Sequence, residues 1–309
     1  MNKEKNFVSA VVYVHNVEKR IDGFLQMVMH VLEENFEHSE IICVNDCSSD
    51  ASVEQIKTVS KEARHANISV LNMSYFHGME LAMNAGVDLS IGDFVFEFDS
   101  TVVDYEAGQI MKVYRKALEG FDIVSASPDR KQKFTSRFFY RMFDQFSHLS
   151  YHMSTESFRI LSRRVINRIS SMNKSVPYRK AVYANCGLKT DNVIYQVTGK
   201  AEDWDKEEKK YRRRLAVDTL ILFTDVGYRC SITMTVLMML LAIFVVGYTV
   251  FTYLFSTPVE GWTTTILFLS VAFFGLFGIL TVIIKYLQII VELIFKRKRY
   301  NFESIEKLT

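Results

Sequence analysis

Apolar positions along this chain follow two regimes. Through the first hundred residues they come in short clusters whose spacing alternates between strand-like and helix-like. Phe7–Val14 is a compact apolar run suited to a buried strand, and Val17–Glu34 then repeats apolar residues at helical intervals through Ile21, Phe24, Leu25, Val28 and Leu32. Glu40–Val44 reads as a second strand, closed by the turn-prone run Asn45-Asp46-Cys47-Ser48-Ser49-Asp50. A helix through Val53, Ile56 and Val59 follows, then a strand at Ile68–Met73, a helix at Glu80–Leu89 and a strand at Phe94–Phe98. Strands separated by helices predict βαβ units and a mostly parallel α/β sheet with helices on both faces. Ligands of such sheets bind beyond the carboxyl ends of the strands. The polar clusters Asn45–Asp50 and Asp99–Asp104 fall at two of those ends.

The second regime begins near residue 230. No charged residue occurs from Cys230 to Val259, and none from Gly261 to Ile284. Each run exceeds the ~20 apolar residues that a ~30 Å hydrocarbon core requires. The chain therefore divides into a soluble domain over 1–228, with amphipathic juxtamembrane helices near 206–228, and a membrane hairpin over 229–309. The hairpin has transmembrane helices at about 230–255 and 262–285 and ends in a basic tail. Arg212, Arg213, Arg214 and Arg229 precede the first span, Lys296, Arg297, Lys298 and Arg299 follow the second, and Glu260 is the only charge between them. The positive-inside rule then places the soluble domain and both termini in the cytoplasm, on the inner or plasma membrane. Tyr253 and Trp262 suit the interface at the hairpin tip. Tyr286–Tyr300 is expected to leave the bilayer as a helix along the anionic inner leaflet. The N-terminus has no apolar stretch resembling a signal peptide.

Composition changes this picture little. The net charge is +2, which argues against nucleic acid as the main partner. Cys43 and Cys47 lack a second Cys/His pair at zinc spacing and read as packing residues; His77 reads as a surface or packing histidine.

Taken in order, the motifs resemble family 2 glycosyltransferases with the GT-A fold, and within them the polyprenyl-phosphate glycosyltransferases of the dolichol-phosphate mannosyltransferase type. Val11-Val12-Tyr13-Val14-His15-Asn16 stands where that family has its first strand and an Asn, and Val44–Asp50 is similar to its VDDGSSD. Gly78, Ala82, Ala85, Gly86, Gly92 and Asp93 follow its glycine-rich helix and GD pair, and Phe158–Arg164 looks like its FRLLSRR segment. The resemblance implies a nucleotide-diphosphate sugar (UDP- or GDP-linked) as donor, a polyprenyl phosphate lipid as acceptor, and a divalent cation, Mg or Mn, to offset the charge of the leaving diphosphate. It implies catalytic roles for Asp99, as the one carboxylate of the metal motif, and for Arg159, gripping a phosphate. Asp46 would contact the base or ribose, with Asn45, Asp50 and Glu156 also at substrate-binding positions and Asp104 supporting the metal loop. Arg130, Arg163 and Lys133 would meet the acceptor phosphate. Competing readings make Asp46 and Asp50 turn formers or helix caps and pair Arg159 with Glu156. A homo-oligomer is left open.

The pattern departs from the family at defined points. Asn45 replaces the first Asp of the DD pair, Cys47 its Gly, and Met79 a common Lys. Ser157 replaces the Asp before the FRL segment, and the DxDxQ cluster reads Asp99-Ser100-Thr101-Val102-Val103. A hydroxyl is a poor substitute for a carboxylate toward a hard cation. Two classes of function follow: a divergent membrane glycosyltransferase, or a non-catalytic glycosyltransferase-like scaffold for another membrane enzyme. Two spans offer little room for a transport pathway.

Overall fold

The computed structural model describes residues 3–129, 156–171, 179–198, 226–255, 259–294 and 302–308. The chain forms two compact units, one comprising 1–215 together with 295–309, the other 216–294.

The first unit is built on an eight-stranded sheet. Its elements in chain order are β1 (Val8–Val14), α1 (Ile21–Asn35), β2 (Ser39–Asn45), α2 (Ser52–Ser60), β3 (Ala66–Met73), α3 (Met79–Leu89), β4 (Phe94–Phe98), α4 (Gly108–Leu118), β5 (Ile123–Pro128), β6 (Phe158–Ser162), α5 (Arg163–Ser171), α6 (Arg179–Asn185) and β7 (Thr190–Tyr195). A further strand, β8 (Phe302–Lys307), follows the second unit. The spatial order is β7-β5-β6-β4-β1-β2-β3-β8. Strands β1 to β4 pair in parallel, as do β5 and β7, whereas β6 runs antiparallel to both β4 and β5. The alternation over the first hundred residues thus forms the predicted elements.

Topology also fixes the faces. From β1 through β2 to β3 the chain steps one way across the sheet, and from β3 to β4 it crosses back past β1. Because parallel crossovers are right-handed, α1 and α2 share one face and α3 lies on the other. The packing agrees: α1 touches α2 and α4, whereas α3 touches α5. Val8, Ala10, Val12 and Val14 of β1 join Phe24, Leu25, Val28 and Leu32 of α1 in the core. Cys43 lies in that core, and burial pushes its thiol up to about 12, as a packing role requires. On the opposite face α3 lies very close to the sheet. A Cβ on Gly86 would stand 2.5 Å from side-chain atoms of both Val11 and Val44. The reversal places a topological switch point between β1 and β4, so a crevice opens beyond their carboxyl ends.

The second unit comprises α7 (Val226–Phe255) and α8 (Trp262–Ile294), packed against each other. Both are long and apolar enough to cross a membrane. Their large apolar side chains, from Leu240, Phe244 and Phe251 to Phe268 and Ile279, are mostly exposed, unlike those of a core helix. Thr249, Thr252 and Thr281 return their hydroxyls to carbonyls four residues back, which satisfies their polar groups within the helix itself. The expected helix over Tyr286–Tyr300 extends as α8 to Ile294, its remainder lying outside the described residues. Beyond it the chain does not continue as a basic tail alone. Residues 302–307 rejoin the sheet antiparallel to β3, with Val70 opposite Glu306 and Asn72 opposite Ser304.

Candidate active site at the switch point

The carboxyl end of β2 carries the first polar cluster, and its side chains are turned into the protein. Asp46 is fully buried. Its Oδ1 accepts the His77 N–H at 2.8 Å, and its Oδ2 accepts the Gly78 N–H at 2.8 Å and the Tyr13 hydroxyl at 3.1 Å. The carboxylate therefore shapes the loop that opens α3, where Gly78 sits at φ 83°. Asn45 bridges Asn72 Oδ1, at 2.9 Å, and the Ser48 N–H, at 3.0 Å. Asp50 accepts the N–H and hydroxyl of Ser52 at the head of α2 and the N–H of Glu18. Burial alone would raise its carboxyl, but these hydrogen bonds hold it below the ordinary range. Asp50 thus braces the turn into α2, whereas Asp46 joins β1, β2 and the loop before α3.

Aromatic rings stand around this loop. Tyr75 stacks on His77 with ring centroids 3.9 Å apart, and Phe76 meets His15 at 4.8 Å, while both Tyr75 and Phe76 remain about half exposed. No motif marks these aromatics as functional, because two aromatics beside a histidine carry no spacing rule.

The carboxyl end of β4 carries the second cluster, and here the structure converges. Glu97 and Arg159 face each other across the β4–β6 ladder. Arg159 is buried and bonds three carboxylates: Glu97 Oε2 at 2.9 Å, Asp99 Oδ2 at 2.8 Å and Glu156 Oε2 at 2.9 Å. Arg179, at the first position of α6, is equally buried. It reaches Glu97 Oε1 at 2.6 Å, Glu80 Oε2 at 3.1 Å, and Asp99 Oδ1. Tyr183 donates to Glu97 Oε1 at 2.7 Å, and Lys180 stands 3.6 Å from Glu156. Burial alone would raise the Asp99 carboxyl, yet the two guanidinium groups hold it far below the usual carboxylate range. Burial wins at Glu80, whose carboxyl is raised despite Arg179.

Other sequence candidates separate. Asp104 Oδ1 accepts the Tyr195 hydroxyl at 2.6 Å and the Ser157 hydroxyl at 3.4 Å, which ties the loop after β4 to β7. Arg163 bonds the Gly92 carbonyl before β4 begins. It thus lies at the amino end of that strand, opposite Asp93 and about 20 Å along the strand from Asp99 at ~3.3 Å per residue, away from the crevice. Arg130 and Lys133 lie outside the described residues.

The residues around Asp99 do not fit a divalent cation. Such an ion takes several oxygen ligands with open lone pairs. Asp99 has a guanidinium on each oxygen, and Thr101, in the second position of the motif, is buried with its hydroxyl unpartnered. Among the described residues no group of three or more His, Cys, Asp or Glu side chains converges as a metal site.

The fold and its crevice define a doubly wound α/β domain with charged side chains gathered at the switch point. Residues 9–175 match the model of glycosyl transferase family 2, more than half of the chain, and the protein belongs to that family. It is 28% identical over 194 residues to an uncharacterized glycosyltransferase of Synechocystis sp., covering 61% of this chain and 60% of that relative. It is also 28% identical to a prophage bactoprenol glucosyl transferase homolog of Escherichia coli, covering 61% of this chain and 62% of the relative. The match thus spans about three fifths of these relatives' length. Among solved structures, the fold resembles a mannosyltransferase from Pyrobaculum calidifontis in complex with GDP-Man and Mn²⁺, with 12% identity, 68% and 61% coverage of the two chains and a TM-score of 0.50. It likewise resembles glucosyl-3-phosphoglycerate synthase from Mycobacterium tuberculosis with Mn²⁺, UDP and phosphoglyceric acid, with 14% identity, 70% and 78% coverage and a TM-score of 0.50.

Proposed function

We propose that the protein transfers a sugar from a nucleotide-diphosphate donor to a polyprenyl phosphate at the cytoplasmic face of the cell membrane. The observation that carries this reading is a family 2 transferase sheet joined to two apolar helices, after which the chain re-enters the same sheet as β8. If both helices span the bilayer, an even number of crossings returns β8 to the side it left. The sheet domain then sits on one side, beside a lipid acceptor. Basic residues flanking both spans make that side the cytoplasm. Relatives named bactoprenol glucosyl transferase support the acceptor class. The nucleotide would enter the crevice beyond β1, β2 and β4, its base against Tyr75 and Phe76 and its reacting end toward Asp99. The acceptor phosphate is already anionic at neutral pH, so transfer needs positioning more than a strong base.

The test is radiolabelled transfer from a panel of UDP- and GDP-sugars into polyprenyl phosphate, counted in the organic phase. Label from one donor class supports the reading and names the donor. The carboxylates closed off by Arg159 and Arg179 favour a second reading, a non-catalytic scaffold for another membrane glycosylation enzyme. No transfer from any donor, together with no nucleotide binding, would select it.

A further inference from the structure

In a site that holds a diphosphate through a divalent cation, protein carboxylates leave lone pairs open for the ion, and the ion cancels their repulsion of the phosphates. At the carboxyl end of β4 both conditions are altered. Each oxygen of Asp99 already accepts from a different guanidinium. Neither guanidinium is loosely held, since Arg159 also binds Glu97 and Glu156 while Arg179 also binds Glu97 and Glu80. Arg159 and Arg179 are 2% and 1% exposed, whereas the Asp99 side chain is 14% exposed. The group shown to the crevice is therefore a carboxylate already neutralised from behind. Arginine keeps its proton throughout the accessible pH range, so it does not give way by deprotonation. An ion at Asp99 would have only the one lone pair left on each oxygen and would stand beside two fixed positive charges. The cluster sets Glu80, Glu97, Asp99 and Glu156 against Arg159, Arg179 and Lys180, four negative charges to three positive, so little is left for a dication to balance.

We propose that Arg159 and Arg179 are built-in counter-ions for Asp99, and that this protein binds its nucleotide diphosphate without a divalent cation, Arg179 being the residue that keeps the ion out. The inference rests on the nucleotide-sugar reading above and specifies how that site is charged. Arg179 acts on the site as a positioning residue, through Asp99 and Glu97.

Calorimetric titration of the full-length, detergent-solubilised protein with UDP and GDP, in EDTA and in saturating MnCl₂, tests it. The affinity of whichever nucleotide binds should agree between the two conditions within about threefold. Electron paramagnetic resonance of added Mn²⁺ should detect no tightly bound ion. In Arg179→Gln, which frees one oxygen of Asp99 and leaves Glu80 with only the backbone N–H of residue 179, a bound Mn²⁺ signal should appear and nucleotide affinity should rise with the metal. Arg179→Lys keeps the charge without the fork and should remain insensitive to EDTA; it also serves if the glutamine variant does not fold. Nucleotide binding by the wild type that requires Mn²⁺ would overturn the inference while leaving the nucleotide-sugar reading standing. No nucleotide binding in either condition would overturn the nucleotide-sugar reading and this inference with it.

Discussion

Cys47 shows how a single residue carries a local conflict. It follows β2 at φ 55°, the left-handed region, in the position where the family has glycine. A β-carbon there costs about 1–2 kcal/mol relative to a residue free of that clash. The thiol recovers part of this by donating to the Met73 carbonyl at 3.4 Å. Cys47→Gly should therefore raise stability by about 1 kcal/mol in urea unfolding; a loss would mean that the sulfur contact outweighs the strain. The aromatic rim gives a second prediction. If Tyr75 and Phe76 receive the base, Phe76→Ala should weaken nucleotide binding by about 1–3 kcal/mol, the usual worth of base stacking, with the unfolding midpoint unchanged. Unaltered affinity would move the base elsewhere in the crevice. How much of the site could be read in advance depended on distance along the chain. Arg159 and Glu156 are three residues apart, and their pairing was weighed from sequence alone. Arg179 finds Glu97 across 82 positions and Glu80 across 99, and no periodicity or motif marks such partners. Glu97 was equally hidden, because an acidic residue inside an apolar strand gives no sign of its partner until β6 is laid beside it.

At the scale of elements, the edge strand β8 is the part the hydrophobic pattern did not announce. Phe302–Lys307 is too short and too polar to stand out against a basic tail, and its reason for being a strand lies in β3. Without it β3 would be an edge with unpaired N–H and C=O groups, which invites pairing between molecules. Beyond the ladder, Asn72 Nδ2 donates to Ser304 Oγ and Glu306 Oε1, each at 3.2 Å, while Asn72 Oδ1 accepts from Asn45. Lys57 holds Glu306 at 2.6 Å on the exposed side, a contact worth little alone. Removing residues 302–308 should lower the thermal midpoint by at least ~3 °C, since one kcal/mol moves a domain of this size by about 2–4 °C. It should also increase light scattering on heating. An unchanged midpoint would mean that the strand is held by the sheet without supporting it. The earlier elements were legible for the opposite reason: β1 to β4 and α1 to α3 each bury a periodic face in one core. From β5 onward antiparallel pairing and a long excursion between β5 and β6 break the simple alternation.

For the whole molecule, the return of β8 constrains topology more tightly than charge alone. A cysteine at Glu260, between α7 and α8, should react with an impermeant thiol reagent outside intact cells, in a background without the four native cysteines. A cysteine at Glu303, beside β3, should react only after lysis. The reverse pattern, or one crossing rather than two, would overturn the proposed arrangement.

That same strand places a condition on synthesis. Chains emerge from the ribosome in order, and β8 follows both apolar helices. The first seven strands can therefore assemble while β3 still waits for its neighbour, and the neighbour arrives only after α7 and α8 have been delivered. If α7 and α8 span the bilayer as proposed, completion of the sheet becomes a record that insertion has succeeded. A chain whose second helix fails to cross would leave β8 on the far side of the membrane and β3 open. Quality-control proteases that recognise an exposed sheet edge would have a lasting target in the misinserted copies, whereas in the others β3 is open only until β8 arrives.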